Sequence, residues 1–291
     1  MTLELPPREI AADDPVPLVK SVVLVMSGKG GVGKSTVASN LAIALKRLGA
    51  RVGLLDADIY GPSVPTMFGV HGQPITDGQR IRPHERHGIK LMSIGFLLDD
   101  PKSAVVWRGP MLHGALLQFL KDVAWEELDV LLLDLPPGTG DIALTLAQRV
   151  RSTGAVIVTT PQEVALQDVY KSVSMAKKVG IPVLGVVENE SYFLCDGCEK
   201  RHELFGKGGG QKVAEFAEAP LLGQIPLVPA VREWGDAGTP LVEAQPGSPA
   251  AKAFIEVAER LVETLKSQGS SGTVSIDRSG GVNRRLPISR S

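Results

Sequence analysis

The sequence predicts an α/β protein built on a doubly wound, mainly parallel sheet, and three observations predict it. Short runs rich in Val, Leu and Ile alternate along the chain with stretches of helical spacing. One of these runs, Ser21–Met26, passes through a glycine-rich turn straight into a helical stretch. Acid-bearing loops follow the strand runs, at the ends where open α/β sheets bind ligands.

Taken in order, residues 1–19 are rich in proline and acid and predict an extended lead-in. After the glycine-rich turn, Val37, Leu41, Ala44, Leu45 and Leu48 fall at helical spacing and Gly49 closes the helix. Arg51–Leu55 reads as a buried strand ending in D-A-D-I-Y-G-P-S, whereas residues 64–90 are turn-rich and basic and carry no clear period. Leu91–Phe96 predicts a strand, Met111–Val123 a helix, and Leu128–Asp134 a buried strand ending on an acid. The loop L-P-P-G-T-G-D follows, then a helix to about Arg151. Ala155–Thr160 and Pro182–Glu188 are strands flanking a helix over Val164–Val179. Gly208–Ala217 and Pro249–Leu265 read as helices, and Leu221–Leu227 as a short strand. The expected organisation is a lead-in over 1–19, one domain over 20–266 and a Ser/Gly/Arg tail over 267–291 too polar to fold.

Composition narrows the function. The chain has 291 residues, 43% hydrophobic and 22% charged, as in an ordinary globular protein. With 31 Lys and Arg against 32 Asp and Glu, the net charge of −1 argues against nucleic acid or an anionic membrane as partner. No apolar run approaches the roughly 20 residues of a membrane-spanning helix, and the N-terminus lacks the features of a secretory signal. A cytoplasmic location is expected.

The turn after Met26 reads S-G-K-G-G-V-G-K-S-T, a full phosphate-loop pattern in the required strand–loop–helix setting. Glycines let successive backbone N–H groups face one point, and the helix adds its positive end. Gly28, Lys29, Gly30, Gly31, Val32, Gly33, Lys34, Ser35 and Thr36 are therefore the candidate nucleotide-binding residues. Lys34 would sit on the β- and γ-phosphates and the Ser35 hydroxyl on Mg²⁺.

The strand-end acids extend this site. Asp134 matches a Walker B acid that holds Mg²⁺ directly or through water, and Asp58 could orient the attacking water. With Ser35, these two are the Mg²⁺ candidates. Gly138 could offer its N–H to the γ-phosphate, and Asp56 and Asp141 are plausible supports. The alternative for each acid is that it caps the helix that follows.

The only two cysteines are Cys195 and Cys198, spaced C-D-G-C. Four readings stand: a redox pair, a zinc site that recruits His202, an inert surface pair, or half of a shared site. In the last, a two-fold dimer would bring four thiolates together for an iron–sulfur cluster or for zinc.

These stretches together resemble the Mrp/ApbC-type iron–sulfur cluster carrier ATPases of the MinD/ParA superfamily. The resemblance rests on G-K-G-G-V-G-K-S-T, D-A-D-I-Y-G-P-S, D-L-P-P-G-T-G-D, V-V-E-N-E-S-Y-F-L-C-D-G-C and F-G-K-G-G-G, and it spans about Lys20 to Leu265. It implies an ATP-hydrolysing homodimer that holds a [4Fe–4S] cluster between subunits, takes it from scaffold proteins and passes it to apo-proteins. The loop K-G-G-V-G-K is similar to the deviant phosphate loop of that superfamily, so Lys29 is expected to reach the partner's nucleotide. By the same resemblance Lys29, Lys34, Asp58 and Asp134 are catalytic, Asn189 contacts the base, and Pro226–Asp236 packs near it. Many bacterial members carry an extra N-terminal domain that the lead-in is too short to hold, and the N-terminal cysteine motif of eukaryotic relatives is absent. The alternative class is a positioning ATPase with a structural zinc, against which the tail offers no amphipathic basic helix.

Overall fold

The computed structural model describes residues 3–58, 61–97, 109–138, 146, 149–195, 197–198 and 200–270. Residues 267–270 of the expected tail are helical, continuing the helix that begins at Pro249, while the tail beyond Ser270, Asp141 and most of the helix expected after it lie outside the described residues. The first half of the chain forms β1 (Val19–Ser27), α1 (Lys34–Arg47), β2 (Val52–Asp56), α2 (Val64–Met67), β3 (His84–Arg86) and β4 (Ile89–Ser93). Next come α3 (Gly109–Asp122), β5 (Leu128–Asp134), β6 (Gly154–Thr159), α4 (Glu163–Lys178) and β7 (Val183–Glu188). A two-stranded hairpin, β8 (Phe193–Leu194) and β9 (Arg201–His202), precedes α5 (Gly209–Ala217) and β10 (Leu221–Gln224). The last helices are α6 (Pro229–Asp236), α7 (Leu241–Ala244) and α8 (Pro249–Ser270).

The main sheet has eight strands in the order β10-β7-β6-β1-β5-β2-β4-β3, and every pairing is parallel except β3 with β4. This is the doubly wound α/β architecture the sequence predicts. The central strands β1, β2, β5 and β6 are buried along almost their whole length, as strands covered by helices on both faces must be. No described helix is long and apolar enough to cross a membrane.

Two expected strands end early, each for a local reason. The strand expected over Leu91–Phe96 begins at Ile89 and stops at Ser93, and Ile94–Leu97 is a 3-10 turn. There the Ser93 hydroxyl donates to Asp56 at 3.0 Å and accepts the Gly95 N–H, which bends the chain off the sheet. The strand expected over Leu221–Leu227 stops at Gln224, and Pro226, with no N–H, follows. The aperiodic stretch 64–90 holds α2 and β3.

The lead-in is fastened to the sheet. Arg8 pairs with Asp14 at 2.5 Å, and its guanidinium also donates to the carbonyls of Val16 and Val19. At the opposite end of β5 from its terminal acid, buried Asp129 takes donors from Arg51 and from Lys20, the latter at 2.8 Å.

Burial works against the Asp129 charge, but the Arg51 and Lys20 donors outweigh it and hold the carboxyl down at about 2. A folded value below the unfolded one stabilises the protein above about pH 4, the ordinary carboxylate range. That contribution is lost as pH falls towards the folded value of about 2. Asp129→Asn should therefore cost roughly 2 kcal/mol at neutral pH. It should also flatten the loss of stability on acidification below about pH 4, as read by urea unfolding across pH.

Candidate functional site

The phosphate loop is built from close backbone contacts. At its start the Ser27 hydroxyl donates to the Lys29 carbonyl at 3.0 Å. Gly28 lies on α4: a Cβ there would sit 2.3 Å from the Val169 nitrogen and 2.4 Å from the Asp168 carbonyl carbon. Only glycine fits. Gly31 and Gly33 take φ of +81° and +73°, left-handed backbone that glycine adopts without strain. Gly33 caps α1, and its own close neighbour is the Asn189 amide. Val32 is buried, Gly30 and Gly31 are exposed, and Lys29 is half-buried at the lip.

The parallel register brings the acids to this loop. Asp134 stands opposite Val25 on one side and Asp56 on the other, so the ends of β1, β5 and β2 converge. Lys34 Nζ lies 2.5 Å from Asp134 Oδ1 and 3.5 Å from Asp58 Oδ2. Ser35 Oγ is 3.5 Å from the same ammonium. Burial pushes the Asp134 carboxyl up, and the Lys34 ammonium opposes it. Asp56 is raised as well, first by burial and then by repulsion from Asp134.

The three carboxyls differ in what they touch. Asp56 is saturated: it accepts the N–H groups of Asp58 and Val64 and the Ser93 hydroxyl. It shapes the Asp58 loop. Asp134 Oδ2 is buried with no hydrogen-bond partner. Such an atom suits a cation or its bound water, which Ser35 and Asp58 stand beside. Gly138, at φ +69°, donates its N–H to the Ser27 carbonyl at 3.4 Å, so the loop after β5 closes over the start of the phosphate loop.

A cleft runs from here along the carboxyl edge. Its polar end, about 230 Å³, is lined by Lys29, Lys34, Ser35 and Asp58. Its wider end, about 500 Å³, is lined by Asn189, Pro226, Val228, Val231 and Asp236. The two ends share Gly33, Thr36, Gly61, Ser63 and Met67. An end lined by Lys29, Lys34 and Asp58, joined to a wider end, is a shape that fits a nucleotide's phosphates and base. Asn189 is brought to this cleft and donates from Nδ2 to the Val32 carbonyl at 3.0 Å, bracing the loop from the base side.

Cys195 and Cys198 lie at the tip of the β8–β9 hairpin, half-buried and exposed respectively, and are not joined in a disulfide. The Cys195 N–H donates to the Lys200 carbonyl at 3.1 Å. His202 sits across the hairpin from Phe193. Among the described residues, no three His, Cys, Asp or Glu side chains come together in a way that could hold a metal.

One residue escaped the sequence reading. Glu188 is fully buried at the end of β7 and accepts from Ser191, Gln224 and the Gly210 N–H. An acid ending an otherwise apolar strand, as Asp134 does, was the available signal.

Comparison with known proteins agrees with this geometry. A family model described as ParA, the NUBPL iron-transfer P-loop NTPase, matches residues 18–262. The iron-sulfur cluster carrier protein of Aquifex aeolicus is 55% identical over 258 residues, 87% of this chain and 70% of that protein. A nucleotide-binding protein from Archaeoglobus fulgidus, solved with ADP and cobalt, is 40% identical with a TM-score of 0.69, covering 81% of this chain and 92% of that one. The cell division ATPase MinD of Pyrococcus furiosus is 26% identical with a TM-score of 0.61, covering 84% and 98%.

The tight seat of Gly28 gives a direct test. Gly28→Ala forces the loop and α4 apart, so it should destabilise the protein by roughly 2 kcal/mol. It should also weaken ATP binding at least tenfold, as measured by denaturant unfolding and by titration with a fluorescent nucleotide.

Proposed function

The chain belongs to the ParA family of iron-transfer P-loop NTPases, and from that membership we propose that two copies clasp one [4Fe–4S] cluster between their paired cysteines. It is an ATPase and an iron–sulfur cluster carrier. The cluster is cargo, delivered to apo-proteins after loading from scaffold proteins in the cytoplasm, where thiols stay reduced.

The observation that carries the reading is the pair of thiols on one hairpin. Two thiols share one hairpin tip, and no third metal-ligating side chain joins them among the described residues. Iron–sulfur clusters commonly take four thiolates, and a two-fold axis through the hairpins turns two into four.

In the nucleotide cleft, Lys34 and the backbone of Gly28 to Thr36 hold the phosphates, and Asn189 braces the base end. Ser35, Asp58 and Asp134 hold Mg²⁺, a role that the unpartnered Asp134 Oδ2 supports. Bound Mg²⁺ would neutralise charge that develops on the phosphates. Asp58 orients the attacking water, Gly138 meets the γ-phosphate, and Lys29 crosses to the partner's nucleotide as a cation supplied in trans.

Two measurements test this. Asp58→Ala should keep ATP binding within about threefold and lower turnover by at least a hundredfold, as expected for loss of a water-positioning group. Unchanged turnover would remove Asp58 from the mechanism. Anaerobic reconstitution with iron and sulfide should load about two irons per chain, one [4Fe–4S] cluster per dimer. Cys195→Ser or Cys198→Ser should each abolish both the cluster absorbance and the dimer on sizing. Tight zinc uptake with no iron would overturn the proposal.

A further inference from the structure

We propose that Glu188 is the positioning residue that joins the base end of the nucleotide cleft to the cysteine hairpin, so that ADP and ATP alike reset the hairpin. The inference rests on reading the cleft as the nucleotide site, but not on what the cysteines carry.

Glu188 is the last residue of β7 and is wholly buried. Its Oε1 accepts from the Ser191 hydroxyl at 2.5 Å and from Gln224 Nε2 at 2.7 Å, and its Oε2 accepts from the Gly210 N–H. One carboxylate thus ties together the segment leading to the cysteines, the end of β10 and the start of α5. Gly210 must be glycine for this: a Cβ there would lie 2.7 Å from the Glu188 Cβ. The stretch F-G-K-G-G-G thereby gains a structural purpose.

The backbone around Glu188 forms a ladder from nucleotide to thiols. Ile225 N–H donates to the Glu188 carbonyl and Ser191 N–H to the Ile225 carbonyl, both at 2.9 Å. Leu227 N–H donates to the Tyr192 carbonyl at 2.7 Å, and Phe193 bridges Leu227. Pro226 and Leu227 line the wide end of the cleft. On the other side Asn189 holds Val32 of the phosphate loop. Glu188, Asn189, Ser191, Tyr192 and Phe193 are thus each held beside the cleft, leading into the hairpin that bears Cys195 and Cys198. A nucleotide base pressing on residues 226–228 moves that ladder. The γ-phosphate is not needed.

The test is the alkylation rate of Cys198 by iodoacetamide, followed by mass spectrometry on the full chain before any iron is supplied. Saturating Mg·ADP and Mg·ATP should each change the rate about fivefold, the lower end of ordinary coupling between sites. In Glu188→Gln one of the three donors faces an amide N–H instead of an acceptor. The nucleotide-to-apo rate ratio should then fall to near one, and Ser191→Ala should reduce it too. Saturating nucleotide separates this loss from weaker binding, and Ser191→Ala decides the matter if Glu188→Gln does not fold. A ratio preserved in both variants overturns the proposal. So does a wild-type response to ATP but not ADP, which assigns the link to the γ-phosphate, and so does no response to either. Because the measurement uses no iron, an error about the cargo leaves it readable.

Discussion

The carboxyl edge of the sheet depends on one contact, the buried Lys34 ammonium 2.5 Å from Asp134. Two adjacent strands in parallel register, β2 and β5, deliver Asp56, Asp58 and Asp134 to one small volume, against the buried Lys34. Removing an ionised carboxylate from water costs several kcal/mol even after relaxation, so such a cluster persists only with a cation inside it. Burial raises Asp134 and Asp56, which is the signature of a site short of positive charge. Phosphates alone would worsen that balance, whereas a divalent cation arriving with them restores it. Asp56 spends both oxygens on internal donors and so supports the loop, while Asp134 keeps one oxygen in reserve.

Glycine contacts fix the loop in place around that pair. Gly28 touches the backbone of α4, and Gly33 touches Asn189 at the end of β7. The phosphate loop is thus held between two elements that lie on the β6–β7 side of β1 in the sheet, away from the acids of β5 and β2. The two halves of the cleft are consequently joined along one edge. A shift at the base end is felt at the phosphate end through the bond from Asn189 to Val32.

Much of this was legible in the sequence because it is local. The phosphate loop, the runs that became β1, β5, β6 and β7, and the acids at strand ends depend on spacing within a dozen residues. What the sequence hid is non-local. Glu188 reads as the polar end of a strand, and its importance lies in partners at Gln224 and Gly210. Arg8 and Asp14 read as an ordinary charged lead-in, yet they form a buried pair that binds it to the sheet. Residues 64–90 carry no period because the elements there, Val64–Met67 and His84–Arg86, are too short for a period to develop. The hairpin around the cysteines is two residues per strand and leaves no pattern at all.

The continuity of that edge bears on how a proposed dimer would release its cargo. If Lys29 engages the partner's nucleotide while the hairpins meet at a two-fold axis, a single rotation must satisfy both contacts. With a base bound, as in the ADP and ATP states alike, the orientation of each hairpin relative to its own phosphate loop is held through Asn189, Glu188 and the ladder to Phe193. In the proposed dimer, losing the contact at one nucleotide would then turn the two hairpins relative to each other. Four thiolates around one cluster tolerate little such rotation, because each iron needs its sulfur at bonding distance. Hydrolysis need not open a lid over the cluster to weaken its hold, since altering the angle between the two subunits is enough.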